Sequence, residues 1–257
     1  MEAARKVAIV TGSATGIGAA VAKRLAAKGC DVVINYSRSA AEAEATAAEC
    51  RALGAQALIC QADVAQDGEC RRMAASAIEQ WGRIDYLVNN AGTTVFAGHS
   101  ELDALQAEDF RRIYDVNVIG AYQMVRAVAA QMKSQGHGSV VNVSSIAGLT
   151  GIGSSIAYAA SKGALNTLTL SLARALGPEI RVNAVCPGLV QTRWLKQGLG
   201  DASYERNVIA NQARTPLKAS SGPDEIAEPI VWLLEGGAHV TGELISVDAG
   251  LHLGFAT

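Results

Sequence analysis

The run Val7-Ala8-Ile9-Val10-Thr11-Gly12-Ser13-Ala14-Thr15-Gly16-Ile17-Gly18 decides the fold. Its first four residues are apolar without interruption, the pattern of a strand covered on both faces. The glycines that follow let the backbone turn tightly, and an amphipathic stretch from Gly18 to about Lys28 reads as a helix. A Gly-rich turn at a helix N-terminus offers unpaired N–H donors and a positive dipole end, which suit phosphate. The spacing is GxxxGxG, not GxGxxG, and no Lys-Ser/Thr pair follows it, which excludes a nucleotide triphosphate loop.

The same alternation continues outward. Short apolar runs stand at 31–36, 57–60, 86–90, 139–144, 180–185 and 244–247, each nearly continuous. Helical stretches lie between them at about 40–53, 67–81, 107–134 and 154–176. Strand, helix, strand, repeated, predicts an α/β fold: a doubly wound, seven-stranded parallel sheet of Rossmann type, with helices on both faces. No linker or repeat interrupts residues 1–257, so a single domain is expected. Only about Leu189 to Gly222 breaks the rhythm, as a substrate-covering insertion would. Ligands of such sheets sit beyond the C-terminal strand ends.

Composition narrows the function. The chain has 22 Lys plus Arg against 24 Asp plus Glu, a net charge of −2, which argues against a nucleic-acid partner. At 49% hydrophobic residues it is too apolar for disorder. Charged residues make up 18%, which points to surface hidden in an oligomer, or simply to an oily monomer. The start MEAARKVAIVTG has no secretory pattern, and no apolar run is long enough to span a membrane, so a cytoplasmic protein is expected. Cysteines 30, 50, 60, 70 and 186 form no CxxC, and histidines 99, 137, 239 and 252 fall at no ligand spacing. Neither a metal nor a disulfide framework is expected.

An NAD site would carry a carboxylate about 20 residues past the glycines. Here Tyr36 stands in that place, Ser37 and Arg38 follow, and no acid appears before Glu42. A hydroxyl and a guanidinium fork suit a 2′-phosphate, which predicts NADP(H) rather than NAD(H). The alternative for Arg38 is a solvated loop residue.

Tyr158 and Lys162 lie one helical turn apart on one face, and the strand ending at Ser144-Ser145 reaches the same rim. A phenol can donate a proton to a carbonyl or take one from an alcohol, but its ordinary pKa of about 10 is high for the second role. A neighbouring ammonium is expected to lower it.

Together TGSATGIG (11–18), Asp63-Val64, Asn89-Asn90-Ala91-Gly92, Asn117, Ser145, YAASK (158–162), Pro187-Gly188 with Thr192, and VTGELISVDAG (240–250) resemble the short-chain dehydrogenase/reductase family, in order and over essentially the whole chain. The look is that of 3-oxoacyl-[acyl-carrier-protein] reductases, which share the acid-free second strand. The resemblance implies a catalytic quartet. Tyr158 is the general acid/base, and Lys162 lowers its pKa and holds the nicotinamide ribose. Ser145 stabilises the substrate oxygen, and Asn117 supports a relay water. For the cofactor it implies contacts from Gly12, Ser13, Thr15, Gly16, Ile17 and Gly18, from Ser37 and Arg38, and from Asp63 and Val64 at the adenine. Asn90, Ala91 and Gly92 follow, with Pro187, Gly188, Val190 and Thr192 near the carboxamide. Blander readings stand beside these: Asp63 as a helix cap, Pro187-Gly188 as a turn, Asn117 as a buried amide. DAG at 248–250 departs from the DGG of many relatives, a matter of tail packing.

The implied activity is hydride transfer between NADP(H) and a small-molecule carbonyl or alcohol, here a 3-oxoacyl thioester, with a carrier-bound acyl chain as one form of it. The alternatives are a sugar, polyol or other small-alcohol dehydrogenase, and a dinucleotide sensor without turnover. The insertion's Trp194, Leu195, Leu199, Tyr204 and Ile209 mix with Arg193, Lys196, Arg206 and Arg214. That mixture suits an acyl chain with phosphates or an acidic carrier, or else an amphipathic lid whose charges face water. Thr94, Phe96, Ile146 and Ile152 are the expected pocket walls. Family members commonly form homotetramers through their long fourth and fifth helices and the last strand.

Overall fold

The computed structural model describes residues 5–254. Its strands are β1 (Val7–Val10), β2 (Asp31–Tyr36), β3 (Ala57–Gln61), β4 (Tyr86–Asn89), β5 (Gly138–Val143), β6 (Ile180–Pro187) and β7 (Leu244–Val247). They form one parallel sheet in the order β3-β2-β1-β4-β5-β6-β7. This is the expected doubly wound sheet, and its order reverses between β1 and β4.

The burial pattern explains why the strand runs are continuous. Val7 through Val10 are all 0% exposed, although successive side chains point to opposite faces. Ala8, Val10, Val32 and Ile34 join the core beneath α1 (Gly16–Ala27), α2 (Ala40–Ala52) and α10 (Pro223–Glu235). Ile9 and Val33 join the core on the other face, beneath α3 (Asp67–Trp81), α5 (Ala121–Ser134) and α7 (Ile156–Leu176). At the N-terminal rim the fully buried carboxylate of Asp85 accepts the Val7 N–H (2.8 Å), two Arg83 nitrogens (2.8 and 2.6 Å) and His137 Nε2 (2.7 Å).

Two regions differ from the sequence reading. The stretch 107–134 is not one helix: α4 (Ala107–Tyr114) and α5 are joined by a π-helical turn, Asp115–Gly120. That turn packs tightly on the β3–α3 loop, since a Cβ at Gly120 would lie 2.7 Å from Val64 Cγ2. Helix α10 lies outside the helical stretches expected from the sequence and carries two prolines, Pro223 and Pro229. Pro223 occupies the first turn, where its missing N–H is harmless, and Glu225 accepts the Gly222 N–H (2.8 Å). Burial of Ile226, Ala227, Ile230, Val231, Leu233 and Leu234 outweighs the internal Pro229.

The insertion is mostly helical, with α8 (Arg193–Leu199) and α9 (Asp201–Arg214) following the short α6 (Ala147–Thr150) and α7. Its ends are tied where Val190 bridges Ser221 and the Gln191 N–H donates to Ser221 O (2.9 Å). Ala249 of the DAG sequence holds a φ of 56°, a left-handed conformation that costs a non-glycine residue about 1 kcal/mol. Among the described residues no helix is long and apolar enough to cross a membrane.

Candidate active site

The C-terminal ends of β1, β4, β5 and β6 converge on a cleft of about 890 Å³. The Gly-rich loop forms one end of it, and Gly12 and Gly16 both take φ of 61°. Two asparagines brace this loop. Asn35 Oδ1 accepts the Gly12 N–H (2.9 Å), and Asn90 Nδ2 donates to Thr11 O (2.9 Å) and Gly12 O (3.0 Å). Ser13 points inward: its hydroxyl donates to Val10 O (2.7 Å) and accepts the Asn35 N–H (2.9 Å). A Cβ at Gly18 would lie 2.5 Å from Asn90 Nδ2, so Gly18 serves close packing behind the loop.

Thr15 precedes α1 without capping it, which leaves the first N–H groups of the helix without a side-chain partner, and Thr15, Gly16 and Ile17 line the cleft. A dinucleotide's phosphates fit this arrangement. At the other end, a Cβ on Gly92 would stand 3.5 Å from Asn117 Oδ1 and 3.8 Å from Lys162 Nζ, so its absence keeps that corner open.

Helix α7 is capped by Ser155, whose Oγ accepts the Tyr158 N–H (3.2 Å). This cap sets Tyr158 and Lys162 on the cleft floor, with Lys162 Nζ 5.6 Å from the Tyr158 ring centroid. Lys162 is 4% exposed and donates to Val143 O (2.8 Å). Ser145 follows β5, and its Oγ accepts the Ala147 N–H (3.1 Å). Asn117 is buried in the π turn. Its Oδ1 accepts the Thr93 N–H (2.8 Å), and its Nδ2 donates to Thr93 O (3.0 Å) and Ser161 Oγ (3.0 Å). Ser161 Oγ in turn donates to Tyr158 O (2.7 Å), so Asn117 ties the β4–α4 loop to α7.

Burial dominates the electrostatics of both Tyr158 and Lys162. Burial pushes the Tyr158 phenol up to about 12, opposed by a hydrogen bond with Ser145 and reinforced by the Cys186 thiol. Lys162 Nζ stands 5.6 Å from the Tyr158 ring centroid while donating to Val143 O (2.8 Å). Burial also draws Lys162 itself down to about 8.

A model of the short chain dehydrogenase family matches residues 6–201. Ketoacyl reductase 2 of the granaticin polyketide synthase of Streptomyces violaceoruber is 43% identical over 247 residues, 96% of each chain. This chain belongs to the short-chain dehydrogenase family. An L-rhamnose 1-dehydrogenase (NAD(P)(+)) of Sphingomonas sp. is 40% identical over 251 residues, again 96% of each chain. The crystal structure of a short-chain dehydrogenase/reductase from Burkholderia xenovorans superposes with a TM-score of 0.91 at 44% identity, covering 98% of this chain and 100% of that one. The family consists of oxidoreductases that use a nicotinamide dinucleotide on small molecules.

In this dehydrogenase Asn90, Ala91, Gly92, Pro187, Gly188, Val190 and Thr192 line the cleft with Gly12, Ser145, Tyr158 and Lys162. Ser37, Arg38, Asp63 and Val64 lie outside it. Ser37 and Arg38 are exposed just past β2. Asp63 Oδ1 accepts the Ala65 N–H (3.0 Å), closing a turn; the cap of α3 is Gln66, so Asp63 is not the helix cap. Val64 is buried against Gly120.

Phe96, Ile146 and Ile152 form pocket walls as expected, whereas Thr94 turns its hydroxyl to Ser154 (2.7 Å) and does not line the cleft. Trp194 sits 6.3 Å from Tyr158 and 5.6 Å from Phe96, ring centroid to centroid.

Several positions escaped the sequence reading. Asn35 and Ser161 brace the site through the bonds above; a polar residue inside the apolar DVVINY run was the signal for Asn35. Gly148 lets α6 lie directly on the backbone of Lys162 and Gly163. Arg193 pairs with Glu42 (2.6 Å) and holds that carboxyl below the usual range.

Proposed function

We propose that this dehydrogenase is an NADP(H)-dependent reductase of 3-oxoacyl-thioester-type ketones, acting as one domain over residues 1–257 with 189–222 covering the substrate, in a cytoplasmic homotetramer. The observation that carries the reading is one cleft shared by the Gly12–Gly18 loop and the Ser145, Tyr158 and Lys162 side chains. The cofactor supplies the hydride. Ser145 hydrogen-bonds the substrate oxygen as its charge grows. Tyr158 Oη then gives that oxygen a proton; a phenol held near 12 keeps its proton at neutral pH and so is set up as a donor. Lys162 holds the ribose hydroxyls, and Asn117 keeps the Thr93 loop and a relay water in place.

Gly12, Ser13, Thr15, Gly16, Ile17 and Gly18 shape the phosphate site. Asp63 and Val64 face the adenine, with Asn90, Ala91 and Gly92 along the adenosine side. Pro187, Gly188, Val190 and Thr192 meet the carboxamide. NADP(H) is favoured by Ser37 and Arg38 and by the engagement of Glu42, the nearest acid, with Arg193. The ketone class is favoured by the ketoacyl reductase relative. A sugar dehydrogenase is the second reading, on the strength of the rhamnose dehydrogenase relative.

The test is loss of NADPH near-ultraviolet absorbance with acetoacetyl-CoA, set against NADP+ reduction with L-rhamnose. Tyr158→Phe should lower kcat by about 10²-fold or more while NADPH binding persists. Tight NADPH binding with no turnover of any carbonyl or alcohol would favour a sensor and overturn the proposal.

A further inference from the structure

Helix α9 turns one stripe toward the cleft. Asn207, Ala210, Asn211 and Arg214 line it at i, i+3, i+4 and i+7. The amide groups of the two asparagines already have protein partners: exposed Asn207 Nδ2 donates to Ser203 O (2.7 Å), and buried Asn211 Nδ2 to Ser220 Oγ (2.9 Å). Phe96, Ile152, Trp194, Leu195 and Leu199 make the walls around them apolar.

The insertion's five cations differ in what they touch. Arg193 pairs with Glu42 (2.6 Å) and Lys196 with Asp201 (3.5 Å). Arg206 Nη2 donates to Ser203 Oγ (3.1 Å), and Lys218 Nζ to Ala213 O (2.9 Å). Among the described residues Arg214 is the one cation of this segment with neither a carboxylate nor a hydrogen-bond partner. It is also on the wall of the catalytic cleft. Lys162, the other cation of that wall without a carboxylate, is engaged by Val143 O. Among the described residues the one acidic lining residue is Glu101, which belongs to the loop before α4 and disfavours an anion on its own side.

A guanidinium stays charged at any working pH and offers a planar fork of donors that fits carboxylate, phosphate or sulfonate. The geometry points to Arg214 as a specificity-determining residue that receives an anionic group on the end of the substrate remote from the carbonyl, with the apolar walls covering the carbons between. This deepens the reductase reading and rests on it. The substrate class is then a ketone with an acidic tail rather than a neutral ketone or an uncharged sugar.

The experiment uses the whole protein with NADPH and a series of keto acids of increasing chain length, from acetoacetate and levulinate upward, each beside its methyl ester. The parent should prefer the acid of fitting length, chiefly through KM. Arg214→Gln should lower kcat/KM for that acid by about 5- to 50-fold and leave the ester unchanged. Arg214→Lys should restore part of the loss, and added salt should narrow the acid–ester gap. Equal constants for acid and ester in the parent, or equal losses on both in Arg214→Gln, overturn the assignment. Calorimetric binding of the same acids to the NADPH complex separates the two readings. Binding by the parent but not by Arg214→Gln, without turnover, upholds the anion site and sinks the reductase. No binding by the parent sinks the anion site whatever the turnover of the esters.

Discussion

Replacing Gly148 by alanine should misalign α7 and the proposed catalytic residues it carries. A Cβ there would stand 2.5 Å from the Lys162 carbonyl carbon, 2.6 Å from Gly163 N and 2.7 Å from Lys162 O. These are backbone atoms of α7 and cannot swing aside as a flexible side chain would. The closest approach falls about 0.9 Å short of ordinary contact. Overpacking of this kind costs about 1–3 kcal/mol, and for a chain of this size each kcal/mol lowers Tm by about 2–4 °C. Catalysis should suffer more than stability. The turn that must move follows directly on Ser145, and the atoms it presses belong to Lys162. A displacement approaching 1 Å at such a site costs about 10²-fold in rate.

Gly163→Ala is the matched control. Its Cβ would meet nothing nearer than Gly148 O at 3.6 Å, and inside a helix the change gains about 0.5–1 kcal/mol. Thermal melts by circular dichroism and kcat/KM with the best ketone decide between them. A Gly148→Ala protein that melts with the parent at full kcat/KM, or a Gly163→Ala protein that is equally damaged, refutes the reasoning.

Lys162→Met should raise Tm near neutral pH while abolishing turnover, because burial holds Lys162 at about 8 instead of 10.5, a cost of up to about 3 kcal/mol. Below pH 8 both folded and unfolded parent keep the proton and the cost is full; between 8 and 10.5 the unfolded chain holds more protons, so the parent gains stability with rising pH and the gap to Lys162→Met closes. Melts at about pH 7 and about pH 9.5 check this, and a gap that widens with pH contradicts it. Arg38→Ala should raise KM for NADPH more than KM for NADH; equal rises, or a parent that prefers NADH, would remove the argument for the 2′-phosphate.

The sheet was legible in the sequence because both of its faces are covered. Val7–Val10, Asp31–Tyr36 and Gly138–Val143 each show up as nearly unbroken apolar runs. The placing of Tyr158 and Lys162 on one cleft was legible because one helical turn fixes a shared face. What stayed hidden depends on atoms that spacing does not address. The π turn at Asp115–Gly120 keeps the apolar pattern of a helix while re-aiming Asn117. Helix α10 hides behind two prolines whose cost is met by packing. The sign of the Tyr158 shift follows from burial of the phenol, and the Glu42–Arg193 pair joins residues 151 positions apart.

That pair has a mechanical consequence. Arg193 opens a helix of only seven residues, flanked in the chain by Thr192 on the Gly16 side and Trp194 beside Tyr158. The contact of Arg193 with Glu42 and that of Trp194 with Tyr158 are therefore carried by adjacent residues of one short helix. Whatever sets the position of α8 thus sets both contacts at once, and the insertion that carries it is tied at its base where Val190 meets Ser221.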